Sequence, residues 1–168
     1  FTKDGKTMYF TRNNYNDGKK RKSDDKVIME KIYKAELVNG EWTNVKEVPF
    51  SNDNYKTAHP TLSPDEKTMY FASDMPGGYG GRDLWYTTYD KKTGWSTPQN
   101  MGSGINTPGN ELFPTSSIAR HLSWQSRTAV GRCNCGARSH GVFETGHLRN
   151  LPVGTSGRNH PAPLGLVP

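Results

Sequence analysis

The chain has 168 residues, two cysteines and a net charge of +6, from 22 Lys and Arg against 16 Asp and Glu. That length suits one domain, no run reaches the roughly 18 apolar residues of a membrane-spanning helix, and two cysteines cannot build a disulfide framework. Leu, Ile, Val and Phe supply only 27 residues, a share at which disorder is a concern, but aromatics at 11% point to a packed fold.

The chain opens at Phe1 inside a strand-like run, as a fragment would. Phe1-Thr2-Lys3-Asp4-Gly5-Lys6-Thr7-Met8-Tyr9-Phe10-Thr11-Arg12-Asn13 recurs 61 residues later as Leu62-Ser63-Pro64-Asp65-Glu66-Lys67-Thr68-Met69-Tyr70-Phe71-Ala72-Ser73-Asp74. An insertion follows the first copy at residues 14–31. Its Lys19-Lys20-Arg21-Lys22 run is diluted by Asp17, Asp24, Asp25 and Glu30, so it is expected to be a solvated loop and not a nucleic-acid patch. Strands are expected at 33–38 and 41–46, on either side of an Asn39-Gly40 hairpin turn.

The second copy is more complete. Residues 58–62 form a leading strand, with His59 before Pro60 in the slot that Phe113 before Pro114 takes later. Ser63-Pro64-Asp65-Glu66 is a turn with proline at its second position, and residues 68–73 are aromatic and β-prone. The loop Gly77-Gly78-Tyr79-Gly80-Gly81 leads to a second strand at 83–89, then a turn at 90–94 and a short strand at 95–98. Four short antiparallel strands recurring every 50–60 residues describe the blade of a β-propeller, about two of them here.

These residues resemble the WD40-like propeller repeat of TolB-type proteins. The likeness is carried by the second copy through Asp74, by the glycine loop and Arg82-Asp83-Leu84-Trp85, and by Trp95-Ser96-Thr97-Pro98, Ile105-Asn106-Thr107-Pro108 and Glu111-Leu112-Phe113-Pro114. It is especially close to blades of outer-membrane proteins of the Bacteroidetes type, which often carry an OmpA-like peptidoglycan-binding domain. The resemblance implies an all-β propeller fragment: a truncated blade at 1–50, a complete one at 57–110, and the start of a third at 111–114. It further implies a non-enzymatic binding or scaffold module in the periplasm-facing cell envelope, with a protein or peptidoglycan-linked partner, no nucleic acid, no transmembrane helix and no cofactor. The alternative is the propeller of a prolyl-oligopeptidase-like or other hydrolase. Two blades alone would leave open edges, so low stability is expected of them.

Candidate site residues are few. Asp74, Arg82 and Asp83 flank the glycine loop, where they would either contact a ligand or cation at a propeller mouth or hold the connector closed through backbone N–H bonds. The loop itself follows a strand but precedes another strand, not a helix N-terminus, so it suits no phosphate; its glycines are expected to fill positive-φ positions. The Asp-Gly-Lys-Thr and Asp-Glu-Lys-Thr turns look like sialidase Asp-boxes, yet Arg12, Arg21 and Arg82 form no recognisable active-site set. Trp42, Trp85, Trp95, Tyr70 and Phe71 are expected to pack between blades and not to form a carbohydrate platform.

After Pro114 the vocabulary changes. Residues 115–168 hold six arginines, no lysine and one acid, Glu144, so they carry +5 of the +6. The pI is therefore no guide to a partner. No alternation of period 2 or 3.6 is expected there, and a disordered tail, a small domain and an out-of-frame translation remain alternatives; the break in the repeat favours the last. Cys133, Cys135 and His140 have a spacing unlike a zinc site. Ala137-Arg138-Ser139-His140-Gly141 copies a nucleophile elbow only in letters.

Overall fold

The computed structural model describes residues 1–16, 19–20, 29–117, 121–128 and 137–144. Its strands begin from turns that their own side chains tie. Asp65 accepts hydrogen bonds from the Ser63 hydroxyl (2.6 Å) and the Lys67 amide (3.1 Å), while Ser63 Oγ accepts the Thr68 amide (3.0 Å). In the first copy Asp4 accepts from Thr2 (2.7 Å) and the Lys6 amide (2.9 Å), and Thr2 Oγ1 accepts the Thr7 amide (3.0 Å). These bonds, led by the hydroxyls, hold both carboxyls below the usual carboxylate range. The residue after each Asp is left-handed, Gly5 at φ 67° and Glu66 at φ 59°. Gly5 takes that conformation without steric cost; Glu66 is held in it by the surrounding bonds.

In chain order the strands are β1 (Thr7–Asn13), β2 (Tyr15–Asn16), β3 (Lys19–Lys20), β4 (Glu30–Val38), β5 (Glu41–Glu47), β6 (Thr57–Leu62), β7 (Thr68–Ser73), β8 (Asp83–Asp90), β9 (Gly94–Trp95), β10 (Gln99–Asn100), β11 (Asn110–Ser116), β12 (His121–Thr128) and β13 (Ala137–Glu144). The fold is all-β, with no helix and no closed barrel among the described residues. Besides the two-stranded pair β2-β3, three antiparallel sheets follow one another along the chain. The first has order β1-β4-β5, the second β6-β7-β8 with β9 and β10 on β8, and the third β11-β12-β13.

The sheets pack face to face because β7 is apolar on both sides. Met69 and Phe71 face the first sheet and join Ile32, Val48, Phe50 and Trp85, with Phe50 and Phe71 stacked at 5.0 Å. Tyr70 and Ala72 face the third sheet and join Leu84, Met101, Ile105, Leu122 and Trp124. Two neighbouring residues of one strand thus lie in different cores, as the pleat dictates.

Two sequence expectations need correction. First, residues from the 115–168 tail do carry period-2 patterning: Leu122, Trp124 and Ser126 are buried, whereas His121, Ser123, Gln125 and Arg127 lie on the other face. The third sheet therefore extends past residue 114, taking two of its strands from the tail. Second, the insertion is not simply a loop. Asn14 and Met29 pinch its base through the Asn14 amide to the Met29 carbonyl (2.8 Å) and the Met29 amide to Asn14 Oδ1 (3.2 Å), and β2 pairs with β3 beyond them. His59 and Phe113 do lie in strands as expected, though in an unusual conformation, at φ 56° and 52°. Each sits at a β-bulge, where two residues oppose one on the partner strand. Residues 129–136 and 145–168, with Cys133, Cys135 and the end of the tail, lie outside the described residues, as do Arg21 and Lys22.

Phe71 is fully buried between two sheets. Phe71→Ala is expected to lower the unfolding free energy by about 3–4 kcal/mol, since it removes a ring and leaves a cavity that two sheets cannot both close. A urea titration of both proteins checks this.

Candidate functional site

The three candidate residues around the glycine loop do different jobs. Asp83 is buried at the start of β8 and accepts the amides of Tyr79 (2.5 Å) and Gly80 (3.1 Å) and the Asn100 side-chain amide (2.9 Å). It closes the connector. Asp74, at the end of β7, turns the other way: it accepts the Lys56 amide at 2.6 Å and lies 3.8 Å from the Lys56 ammonium, so it ties β7 to the segment before β6. Arg82 leaves its own sheet altogether and pairs with Glu30 of the first sheet. Asp74, Asp83 and Arg82 thus have separate partners.

The glycines of the connector are needed chiefly for closeness. Among Gly77, Gly78, Gly80 and Gly81 only Gly77 has a positive φ, 94°. A Cβ on Gly80 would lie 2.3 Å from the Thr107 carbonyl oxygen and 2.4 Å from that of Gly109. The loop is laced to the segment leading into β11, with the Gly81 amide donating to Gly109 O (2.7 Å) and the Glu111 amide to Arg82 O (2.7 Å). It is a joint between the second and third sheets.

Behind the joint lies a polar network. Asn106 bonds Leu84 through both its side-chain atoms (2.7 and 3.0 Å) and donates to Asn100 Oδ1 (2.8 Å), which places Asp83, Asn100 and Asn106 in one chain of hydrogen bonds. The equivalent slot of the first sheet holds Lys31, fully buried, with Glu47 at 3.2 Å, Asp53 at 3.1 Å and the Asn52 carbonyl as acceptor. Glu111 is a third buried charge, accepting from Ser126 (2.7 Å) and Thr107 (2.6 Å). Of these, Asp83 alone was singled out as a candidate from sequence. For the others the signal was available only as equivalent positions of the repeat, and the residue types there differ.

The strands β6 and β11 carry a second feature missed in that way. The His59 imidazole and Phe113 ring stack at 3.9 Å with 27° between their planes, which brings the two bulges face to face. The His59 amide donates to Thr11 Oγ1 of β1 at 2.8 Å, extending the contact to the first sheet. Burial, reinforced by the Arg82 charge, holds the His59 imidazole below its ordinary pKa of 6.5. The repeated ring-proline step was the visible sign, although neither residue's φ follows from it.

A cleft of about 560 Å³ opens between the first and second sheets, lined by Tyr9, Tyr89 and Trp95 with Lys34, Lys46 and Glu47 among others. Trp95 lies edge-on to Tyr9 (6.0 Å) and to Tyr89 (5.1 Å). Of the aromatics expected to pack between sheets, Tyr70, Phe71 and Trp85 are buried there, Trp95 borders the cleft, and Trp42 is exposed against Phe1 at 5.7 Å. Among the described residues no three His, Cys, Asp or Glu side chains gather as they would around a metal ion. No helix among them is long and apolar enough to cross a membrane.

No protein-family model matches the chain, and a search of curated proteins finds no match either.

Two outcomes follow from this geometry. Asp83→Asn keeps the shape but offers one acceptor oxygen where two are used, so a loss of about 2 kcal/mol in unfolding free energy is expected from chemical denaturation. For His59, the folded state disfavours the proton. Its contribution is complete above the ordinary histidine pKa of 6.5 and is lost as acidification proceeds below it. His59→Phe keeps the stack without the titration, and its melting temperature is expected to fall less than that of the wild type between pH 7.5 and 5.5.

Proposed function

We propose that the chain is part of a β-propeller of the TolB-like kind, acting as a non-enzymatic binding or scaffold module in the bacterial cell envelope. What supports the fold in this reading is one recurrence. Strand β7 of the second sheet and β12 of the third pair with their leading strands in the same register, across the same ring-proline bulge. The strand ends are tied alike too: the Ser63 amide donates to Thr68 O and the Ser117 amide to His121 O. Successive sheets so related, each burying a face against the next, are how propeller blades assemble. The envelope location and a protein or peptidoglycan-linked partner come from the resemblance of residues 57–114 to outer-membrane propeller repeats. The partner would meet connecting loops, where Tyr79 is exposed, or the cleft beside Trp95.

Sedimentation of the full chain with purified sacculi, and separately with solubilised outer-membrane proteins, tests this. Retention by one of them that survives at about 0.5 M salt is expected, because a contact made only by the basic tail is screened there. Failure with both, or retention only at low salt, overturns the envelope-module reading.

A further inference from the structure

The cleft between the first and second sheets has its two main walls well inside the chain. One is formed by β4 and β5 with Val48 and Pro49, the other by the turn at 62–67 and the hairpin at 89–95. Its volume of about 560 Å³ falls within the roughly 300–1,000 Å³ of small-ligand sites.

Three kinds of group meet on its surface. The first is aromatic. Trp95 and Tyr9 are half-buried and Tyr89 is exposed, so these rings present surface that the buried Tyr70 and Phe71 do not. Burial raises the Tyr9 phenol above its ordinary pKa of 10.0, against the Lys34 charge and the Trp95 N–H beside it, so its hydroxyl is a donor at neutral pH. The second kind is cationic. Lys34 is committed to Glu36 at 2.8 Å, but Lys46, Lys67 and Lys91 make no ion pair among the described residues. The third kind is anionic. Asp65 uses Oδ1 for the Ser63 hydroxyl and the Lys67 amide, and Glu66 uses Oε1 for the Lys3 amide. Asp65 Oδ2 and Glu66 Oε2 accept no hydrogen bond among the described residues.

These groups restrict the ligand. Three uncommitted ammonium groups call for an anion. Carboxylates on the same rim repel an anion unless it brings hydroxyl donors for their open oxygens. The rings call for a body with an apolar face. A sugar ring bearing a carboxylate meets all three demands. Its C–H face lies on an aromatic ring, its hydroxyls donate to Asp65 and Glu66, and its carboxylate accepts from lysine. A plain carboxylate lacks the donors, and a neutral sugar leaves the ammonium groups unpaired.

We infer that this cleft binds an acidic saccharide, with one sugar ring against Trp95 and Tyr89 and its carboxylate among Lys46, Lys67 and Lys91. The proposal deepens the envelope-module reading by naming what the cleft takes, and it rests on that reading only in treating the cleft as a binding face.

The test titrates the full chain with trigalacturonate by calorimetry, beside neutral galactotriose and the peptide triglutamate, which carries the same charge without sugar hydroxyls. Expected is one-to-one binding of trigalacturonate, with both controls at least about tenfold weaker. Lys46→Gln and Lys91→Gln together, both at exposed positions, should weaken trigalacturonate at least about tenfold and leave the melting temperature unchanged. No binding of trigalacturonate overturns the proposal, as does equal affinity for galactotriose or for triglutamate. Undiminished binding by the double variant overturns it too, since the basic residues after 114 then hold the anion. Trigalacturonate binding without sacculus or outer-membrane retention overturns only the envelope module; retention without trigalacturonate binding overturns only the ligand.

Discussion

Everything in this molecule depends on β7 burying both its faces. Five of its six residues are buried, and consecutive side chains enter cores on opposite sides of one sheet. A slip of one residue would exchange the two sets and send Phe71 and Tyr70 each into the wrong core. The register is therefore doubly specified, by the fit of the rings on both sides and by the Ser63–Thr68 turn that fixes where the strand starts. Burying each such ring stabilises by about 2–3 kcal/mol, so the central sheet holds its neighbours in place more than they hold themselves.

Around that core the repeat keeps its backbone and exchanges its chemistry. Val48 donates to Ile32 O at 3.1 Å in the first sheet, and Met101 donates to Leu84 O at 3.1 Å in the second, so Lys31 and Asp83 occupy the same place. One is a buried cation between two carboxylates, the other a buried anion among amides. A buried charge is tolerable only when its partners are built in with it. Each sheet has done so independently, through Glu47 and Asp53 in one and Asn100 and Asn106 in the other. That independence marks these polar groups as local fastenings of loops.

Apart from the two-residue strands β2, β3 and β10, the strands up to residue 114 were legible in the sequence because they announce themselves by local chemistry: aromatic and β-branched runs such as Thr68–Ser73, bounded by Pro, Asp, Asn and Gly. The β12 pattern was harder to see. Its buried face is Leu122, Trp124 and Ser126, only two of them apolar, and Ser126 is buried because Glu111 accepts its hydroxyl from another strand. A hydropathy period cannot register a serine whose partner lies 15 residues away. The glycine loop was legible as a connector but for the wrong reason, since Gly80 is required by the Thr107 and Gly109 carbonyls and not by its own torsion angle. Of the candidate residues, Asp83 is visible as a loop fastener from its position beside the glycines. The Arg82–Glu30 pair joins residues 52 apart on different sheets, and no spacing rule reaches that far.

The two ends of the stack are unlike. Where β7 offers Tyr70 and Ala72 to its successor, β12 offers Ser123 and Gln125, with His121 and Arg127 beyond them. On the β1 side half-buried Phe10 stacks on the buried Tyr33 at 6.0 Å, under the Arg12 guanidinium. Assembly from such units has a direction: addition at the aromatic end continues the dry packing, while addition at the β12 end must keep water or build hydrogen bonds in its place. Of the two outward faces described, the one on β12 is thus the wetter, and solvent loosens it more readily than the aromatic one.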